Sequence, residues 1–144
     1  MLGSLARWLR FAGFDAEFLP DAPDPLVAGR ARAEGRWLLT RDRSLAARAG
    51  PRVVLLRSAT VGEQVAELRA RLPLATDRER FLTRCSLCNG RLVEITRGEA
   101  AERVPPYVAA HAARFFSCAT CGHLYWPGTH PGRIGRQLER WFLA

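Results

Sequence analysis

The chain has 144 residues, 48% of them hydrophobic, and a formal charge of +8 from 22 basic residues against 14 acidic ones. That length holds one ordinary domain, or a small one plus a metal-stapled module that needs little core of its own, and the charge makes a polyanion such as RNA or DNA the expected partner. No apolar run approaches the roughly 18 residues of a membrane span, and Arg7 and Arg10 interrupt the apolar start as a signal peptide would not allow, so a cytoplasmic location is expected.

Leu2, Leu5, Leu9 and Ala12 recur at helical spacing beside Trp8, and Gly13 stands where a helix C-terminal glycine belongs, so the first element is an amphipathic helix. Asp15 to Leu19 alternates and predicts a short strand, ended by the turn-rich Pro20 to Pro25. Asp24 as N-cap and Pro25 at the first helical position open a helix through Ala33 that Gly35 ends. Trp37-Leu38-Leu39 reads as a buried strand running into Thr40-Arg41-Asp42. A helix from Ser44 to Ala49 then leads to a second apolar strand, Val53 to Leu56. Thr60 and Glu63 fit a capping box for a helix carrying Val65, Leu68 and Leu72 inward until Pro73. Helices alternating with uniformly apolar strands predict an α/β fold with a parallel sheet covered on both faces, and ligands in such sheets bind at the C-terminal ends of the strands.

From Arg84 the composition changes. The chain's four cysteines form two pairs, Cys85-Ser-Leu-Cys88 and Cys118-Ala-Thr-Cys121, each followed by a small turn, Asn89-Gly90 and Gly122-His123. Two facing Cys-x-x-Cys turns make a tetrahedral four-sulfur pocket of the kind structural zinc takes, with no open position for chemistry. Two disulfides or a redox pair is the competing reading. Around the pairs, Arg91 to Ile95 reads as a strand and Glu99 to Arg103 as a helical turn stopped by Pro105-Pro106. Phe115 to Ser117 and Leu124 to Trp126 are short apolar pieces, and Gly132 to Ala144 is an amphipathic basic helix. The division expected is residues 1–83 as an α/β domain and 84–144 as a zinc ribbon with a basic C-terminal helix.

Chemistry is expected at Asp42, Asp24 and Asp21, the acids best placed to meet at a sheet edge. Carboxylates gathered in a basic protein repel one another unless a divalent cation holds them, and such ligands suit Mg²⁺ or Mn²⁺, which can activate water. Each also has a plain structural role open to it: Asp24 and Asp42 as helix caps and Asp21 as a turn residue. Composition alone leaves the choice undecided.

Met1-Leu-Gly-Ser-Leu-Ala-Arg-Trp-Leu-Arg10 with Phe11-Ala-Gly-Phe-Asp15, Leu38-Leu-Thr-Arg-Asp42, Arg84-Cys-Ser-Leu-Cys-Asn-Gly-Arg-Leu92, Arg103-Val-Pro-Pro-Tyr107, and Tyr125-Trp126 with Gly128-Thr-His130 together resemble the mut-seven C-terminal RNase family. These are PIN-like nuclease domains fused to a zinc ribbon, and the match runs in order along almost the whole chain. The resemblance implies a metal-dependent ribonuclease with Asp42 as a metal-site carboxylate, Asp24 as the second, and Asp21 as the competing alignment. It also implies a first strand ending in Asp ahead of the Met-Leu-Gly segment, so residues 1–83 read as a PIN-like domain with its first strand missing. The alternative is a zinc-ribbon RNA-binding module without catalysis. Arg7, Arg10, Arg41 and Arg43 are expected to flank the acidic centre and hold the RNA backbone, with His130 as a further phosphate contact. That every basic residue is Arg and none Lys is what codon bias in a GC-rich genome produces, so the choice of Arg is itself no evidence for RNA. Tyr125 and Trp126 are expected to pack the ribbon core instead of stacking on bases, and His123 to stand outside the four-sulfur site.

Overall fold

A computed structural model of the chain describes residues 2–126 and 132–144. By packing it divides into two units: residues 1–5 with 18–75, and residues 6–17 with 76–144. The boundary after Ala75 lies ahead of the composition change at Arg84, and the second unit recruits a segment some seventy residues upstream.

The first helix, α1 (Leu2–Phe11), ends as its sequence predicts. Gly13 takes φ 95°, its N–H bonds to Arg10 O, and Phe14 N–H bonds to Leu9 O, which is a Schellman closure. Gly13 is also held by space, since a Cβ there would lie 2.5 Å from Arg80 O.

In the first unit, α2 (Asp24–Glu34) starts with Pro23 as the flanking residue and Pro25 in the first turn, and it closes on Gly35 at φ 66°. Asp24 makes no capping bond because it is already inside the helix, one position later than its sequence suggests. Then follow β1 (Leu38–Thr40), α3 (Arg43–Arg48), β2 (Val53–Leu55) and α4 (Val61–Arg71). The two strands pair in parallel with Leu38 opposite Val53 and Thr40 opposite Leu55, and bonds from Leu38 N to Arg52 O and Leu56 N to Thr40 O extend the ladder at each end. The parallel sheet of the described residues thus has two strands. Ala28, Leu38, Leu45 and Ala49 form a core backed by Val27, Ala31 and Val53. Val65 and Leu68 of α4 are buried as their spacing predicts. The cap of α4 is half a capping box. Thr60 accepts from Glu63 N–H, while the Glu63 carboxylate takes the Thr60 hydroxyl instead of reaching the backbone.

In the second unit, β3 (Leu92–Ile95), β4 (Phe115–Cys118) and β5 (Leu124–Tyr125) make an antiparallel sheet in that order. Between β3 and β4 lie α5 (Arg97–Ala100), opened by a full Thr96/Glu99 capping box, and α6 (Pro106–His111). Pro105-Pro106 therefore starts a helix as well as ending the turn before it, because proline needs no N–H partner at a first helical position. Ala100, Val104, Ala112, Phe115 and Leu124 form the core, with Ile95 and Trp126 against it. The tail helix α7 (Gly132–Leu138) widens over Glu139–Leu143 to a looser last turn in which Ala144 N–H reaches Glu139 O. Leu138 and Phe142 are buried, Trp141 meets Trp8 edge-on with centroids 4.9 Å apart, and Phe142 lies 5.9 Å from Phe14.

The strand predicted over Asp15 to Leu19 does not form. Ala16 N–H donates to Asn89 Oδ1 at 3.0 Å and Ala16 O accepts from Arg10 Nε at 2.7 Å, so the polar groups a ladder would need are already committed.

Candidate functional site

The two Cys-x-x-Cys turns are built alike. In the first, Cys85 N–H bonds to Gly90 O and Asn89 N–H returns to Cys85 O; in the second, Cys118 N–H bonds to His123 O and Gly122 N–H returns to Cys118 O. Asn89 at φ 72° and Gly122 at φ 77° take the left-handed conformation that such a tight loop requires, one reason the small turn residues follow each pair. Gly90 N–H points at Cys88 Sγ, and the N–H groups of Thr120 and Cys121 at Cys118 Sγ, each at 3.4 Å. Gly90 is required by space, because a Cβ there would sit 2.7 Å from Cys118 Sγ.

The four sulfurs lie within 4.8 Å of one another, with Cys85 to Cys121 at 3.7 Å and Cys88 to Cys118 at 3.4 Å. All four cysteines are free thiols, and a tetrahedral zinc site with bonds of about 2.3 Å has sulfur–sulfur edges of about 3.8 Å. Burial pushes the Cys118 thiol up, but the N–H groups of Cys121 and Thr120 outweigh it and bring it down to about 6. Burial pushes Cys88 up to about 12, with the neighbouring sulfurs adding to the effect. The four sulfurs, with backbone N–H groups aimed at two of them, can hold a zinc ion. Tyr125 accepts from Ser86 N–H at 3.1 Å, and its hydroxyl also lies 2.9 Å from Cys85 Sγ and 3.2 Å from Ser86 Oγ. Burial, then that sulfur, raises the Tyr125 hydroxyl above its ordinary range, so it serves as a donor beside the thiolates.

Asp42 follows β1 and caps α3: its Oδ1 accepts from Ser44 N–H at 2.8 Å and Leu45 N–H at 3.1 Å, while its own N–H is held by Thr40 Oγ1 at 3.0 Å. The side chain is exposed, and both cap bonds fall on Oδ1, so Oδ2 is not used by the cap. Asp24 lies in the first turn of α2 and Asp21 in the turn before it, both exposed. Among the described residues, the group of three or more potential metal ligands is the four cysteines, and Asp21, Asp24 and Asp42 do not form another.

The model of one protein family, the Mut7-C RNAse domain, matches residues 1–138. The chain belongs to the Mut7-C RNAse domain family. No curated protein and no solved structure matches it. The family points to a nuclease-like role with RNA as the substrate. No described helix is long and apolar enough to cross a membrane.

The other residues expected to matter in this Mut7-C chain fall into different settings. The RNA contact expected of Arg10 is not where its guanidinium goes. It is buried, with Nε on Ala16 O and Nη1 on Ser86 O at 2.9 Å, tying α1 to the first cysteine turn. Arg7 is exposed and lies over the Phe11 ring in the second unit, whereas Arg41 and the exposed Arg43 flank Asp42 in the first. His130 lies outside the described residues. His123 is exposed against the edge of Tyr125 and stands apart from the four-sulfur group, and Trp126 packs on the ribbon core.

Sequence reasoning passed over two residues. Asn89 joins Asp15 Oδ1 at 2.6 Å and Ala16 N–H to the first cysteine turn, and only the turn-forming signal of Asn-Gly marks it. Gln64, buried at the start of α4, gives its amide to Ser58 O, while its Oε1 has no donor among the described residues. No pattern distinguishes it from a surface glutamine.

Proposed function

We propose that this chain is a metal-dependent ribonuclease that cleaves RNA phosphodiester bonds, with Asp42 at its catalytic centre, Asp24 as the second carboxylate and Asp21 in a lesser role. The observation that carries the reading is the place of Asp42: an exposed carboxylate directly beyond the C-terminal end of a parallel strand, in a chain of an RNase domain family. The cap fixes Asp42 through Oδ1, which orients Oδ2 for a ligand without costing the helix its first turn. A PIN-like sheet is the fold this function calls for, and the parallel pairing of β1 with β2 supports that reading.

The carboxylates among the described residues form no group of three, so no cage made by protein alone is proposed. Mg²⁺ is commonly held by one or two carboxylates together with substrate phosphates, and Mg²⁺ or Mn²⁺ bound that way would supply an activated water and charge neutralisation at the phosphate. Arg41 and Arg43 would hold the RNA backbone on either side of Asp42, with Arg7 and His130 as further contacts. Zinc on Cys85, Cys88, Cys118 and Cys121 would be structural and keep the ribbon folded for RNA binding.

Asparagine caps a helix as well as aspartate does, so Asp42→Asn separates the cap from the chemistry. RNA cleavage with Mg²⁺ or Mn²⁺ should fall at least about a hundredfold, while thermal stability holds and RNA affinity stays equal or rises slightly, a charge facing phosphate having gone. Asp24→Asn should act likewise and Asp21→Asn less. Cleavage by Asp42→Asn at the parent rate would overturn the assignment. That the acids among the described residues form no group of three supports a second reading, a zinc-ribbon module that binds RNA without cutting it, and a parent chain that binds RNA but never cleaves it would select that one.

A further inference from the structure

At the N-terminal ends of β1 and β2, the opposite edge of the sheet from Asp42, the first unit carries a half-open groove of about 350 Å³. That is within the size range of small-ligand sites. Ala31, Leu38 and Ala49 line it together with Arg32, Arg36 and Arg52. Leu38 and Ala49 are buried parts of the core, so the floor is rigid and apolar. The arginines are held differently. Arg52 Nη1 donates to Gly35 O at 2.9 Å, which fixes one guanidinium by the backbone. Arg36 Nε pairs with Glu34 Oε1 at 3.0 Å, and Arg30 takes the other oxygen of that carboxylate. Hydrogen bonds from Arg30 and then Arg36 hold Glu34 below the usual carboxylate range, so it stays ionised. Arg32, exposed in the last turn of α2, has no carboxylate partner among the described residues. Between Arg36 and Leu38 in sequence, Trp37 leaves 46% of its surface exposed. An apolar floor edged by several guanidiniums is a positive groove of the kind that tracks a single-stranded backbone without regard to sequence.

We propose that this groove is a second RNA site, in which Arg32 and Arg52 hold backbone phosphates and the Ala31 and Leu38 floor takes a nucleoside. Leu38 opens β1 and Asp42 lies just beyond its other end, so RNA in the groove is engaged away from the bond being cut. The site would therefore set affinity for longer RNAs without touching the chemistry. It rests on RNA being the ligand of this family and not on cleavage.

The test is binding of the full chain to a single-stranded RNA of about 20 nucleotides across a salt series, with groove amides followed by NMR. The Arg32→Ala/Arg52→Ala double variant should weaken binding about tenfold, and the log–log salt slope should become shallower by about 0.7 for each phosphate that is no longer neutralised. An Arg133→Ala/Arg136→Ala double variant on α7, which removes the same charge, should leave the slope unchanged. In the parent, the amides of Gly35 and Leu38 should shift as RNA is added. Should the double variant fail to fold without the Arg52 bond to Gly35 O, Arg32→Ala alone carries the test with about half the slope change. An unchanged slope in the groove variant, or RNA bound with Gly35 and Leu38 unmoved, overturns the proposal. Equal shifts from inorganic phosphate alone also overturn it, since the site would then be a small-anion site. A chain that binds through the groove and cuts nothing sinks the ribonuclease reading and leaves this one standing.

Discussion

The two units of this chain are held by different physics. In the first, the strands are apolar except for Thr40 at the end of β1, helices supply the covering residues, and a core of Ala28, Leu38, Leu45 and Ala49 forms by burial. In the second, strands of two to four residues enclose a small core, and most of the specific structure near the cysteines consists of hydrogen bonds: N–H groups aimed at sulfur, the Asn89 bridge, and the buried Arg10 guanidinium. A sheet this short offers little burial to set against the conformational entropy of its own loops, and a zinc ion on the four cysteines, which could hold one, would supply the difference. The difference teaches where each unit is vulnerable: the first to cavities, the second to loss of a ligand or of the bonds that orient it.

The comparison breaks most sharply at the metal. Zinc at such a site supplies roughly 10 to 16 kcal/mol of folding free energy, so chelation, Cys88→Ser or Cys118→Ser should unfold the second unit while amide protection in β1 and β2 persists. Because Ala16 N–H is held by Asn89 Oδ1 and Arg10 by Ser86 O, the segment from Arg10 to Glu17 should lose protection together with the ribbon. Amide hydrogen exchange with and without zinc checks both halves of the statement. An absence of bound zinc in the purified protein, or Ala16 staying protected after chelation, would show that the second unit does not depend on the metal in this way.

A smaller effect tests the bridge itself. Asn89→Ala removes the bonds to Asp15 and Ala16 and places a β-carbon residue with no side-chain acceptor at φ 72°. The expected loss is about 2 to 3 kcal/mol in the second unit, with Asn89→Gly recovering the backbone part alone. Denaturation of the zinc-loaded protein reads this out, and equal stability of Asn89→Ala and Asn89→Gly would mean that backbone strain at this turn is negligible.

These contrasts also explain which parts were legible from residue order. Features closed within a few residues could be read: Gly13 and Gly35 ending helices, Thr60 and Asp42 at helix starts, the parallel pairing of two apolar runs, and the grouping of four cysteines. What could not be read is what depends on distant partners. Asp15 to Leu19 has the alternation of a strand, yet the amide of Ala16 is claimed by a side chain 73 residues away. Arg10 looks like one more surface arginine until Ser86 O, 76 residues on, is beside it. Pro105-Pro106 carries two meanings, an end and a beginning, and local sequence does not choose between them. At the candidate catalytic centre, Asp42 was legible as a cap and as a carboxylate at a strand end, because both roles are local. Which acids join it is a long-range question.

The smallest expected effect concerns the first unit and is a matter of pH. The Glu67 carboxylate on α4 accepts from Ser58 N–H at 2.7 Å and from Arg57 N–H at 3.1 Å, tying down the loop that leaves β2. Hydrogen bonding from Ser58, ahead of the opposing effect of burial and the further help of the Arg57 N–H, holds its carboxyl below the ordinary range. A carboxyl lowered in the folded state stabilises that state above its unfolded value of about 4.3, and the contribution disappears as pH falls through the lowered folded value. At neutral pH, Glu67→Gln should therefore cost about 1 kcal/mol, since hydrogen bonds to a partly solvated charge are weaker than buried ones. The gap between parent and variant should close as the solution is acidified below about pH 4. Amide exchange at Val54 and Leu56 in both proteins, measured from neutral pH into that range, gives the difference directly, and a gap that stays constant with pH would show that the loop is held by geometry and not by the charge on Glu67.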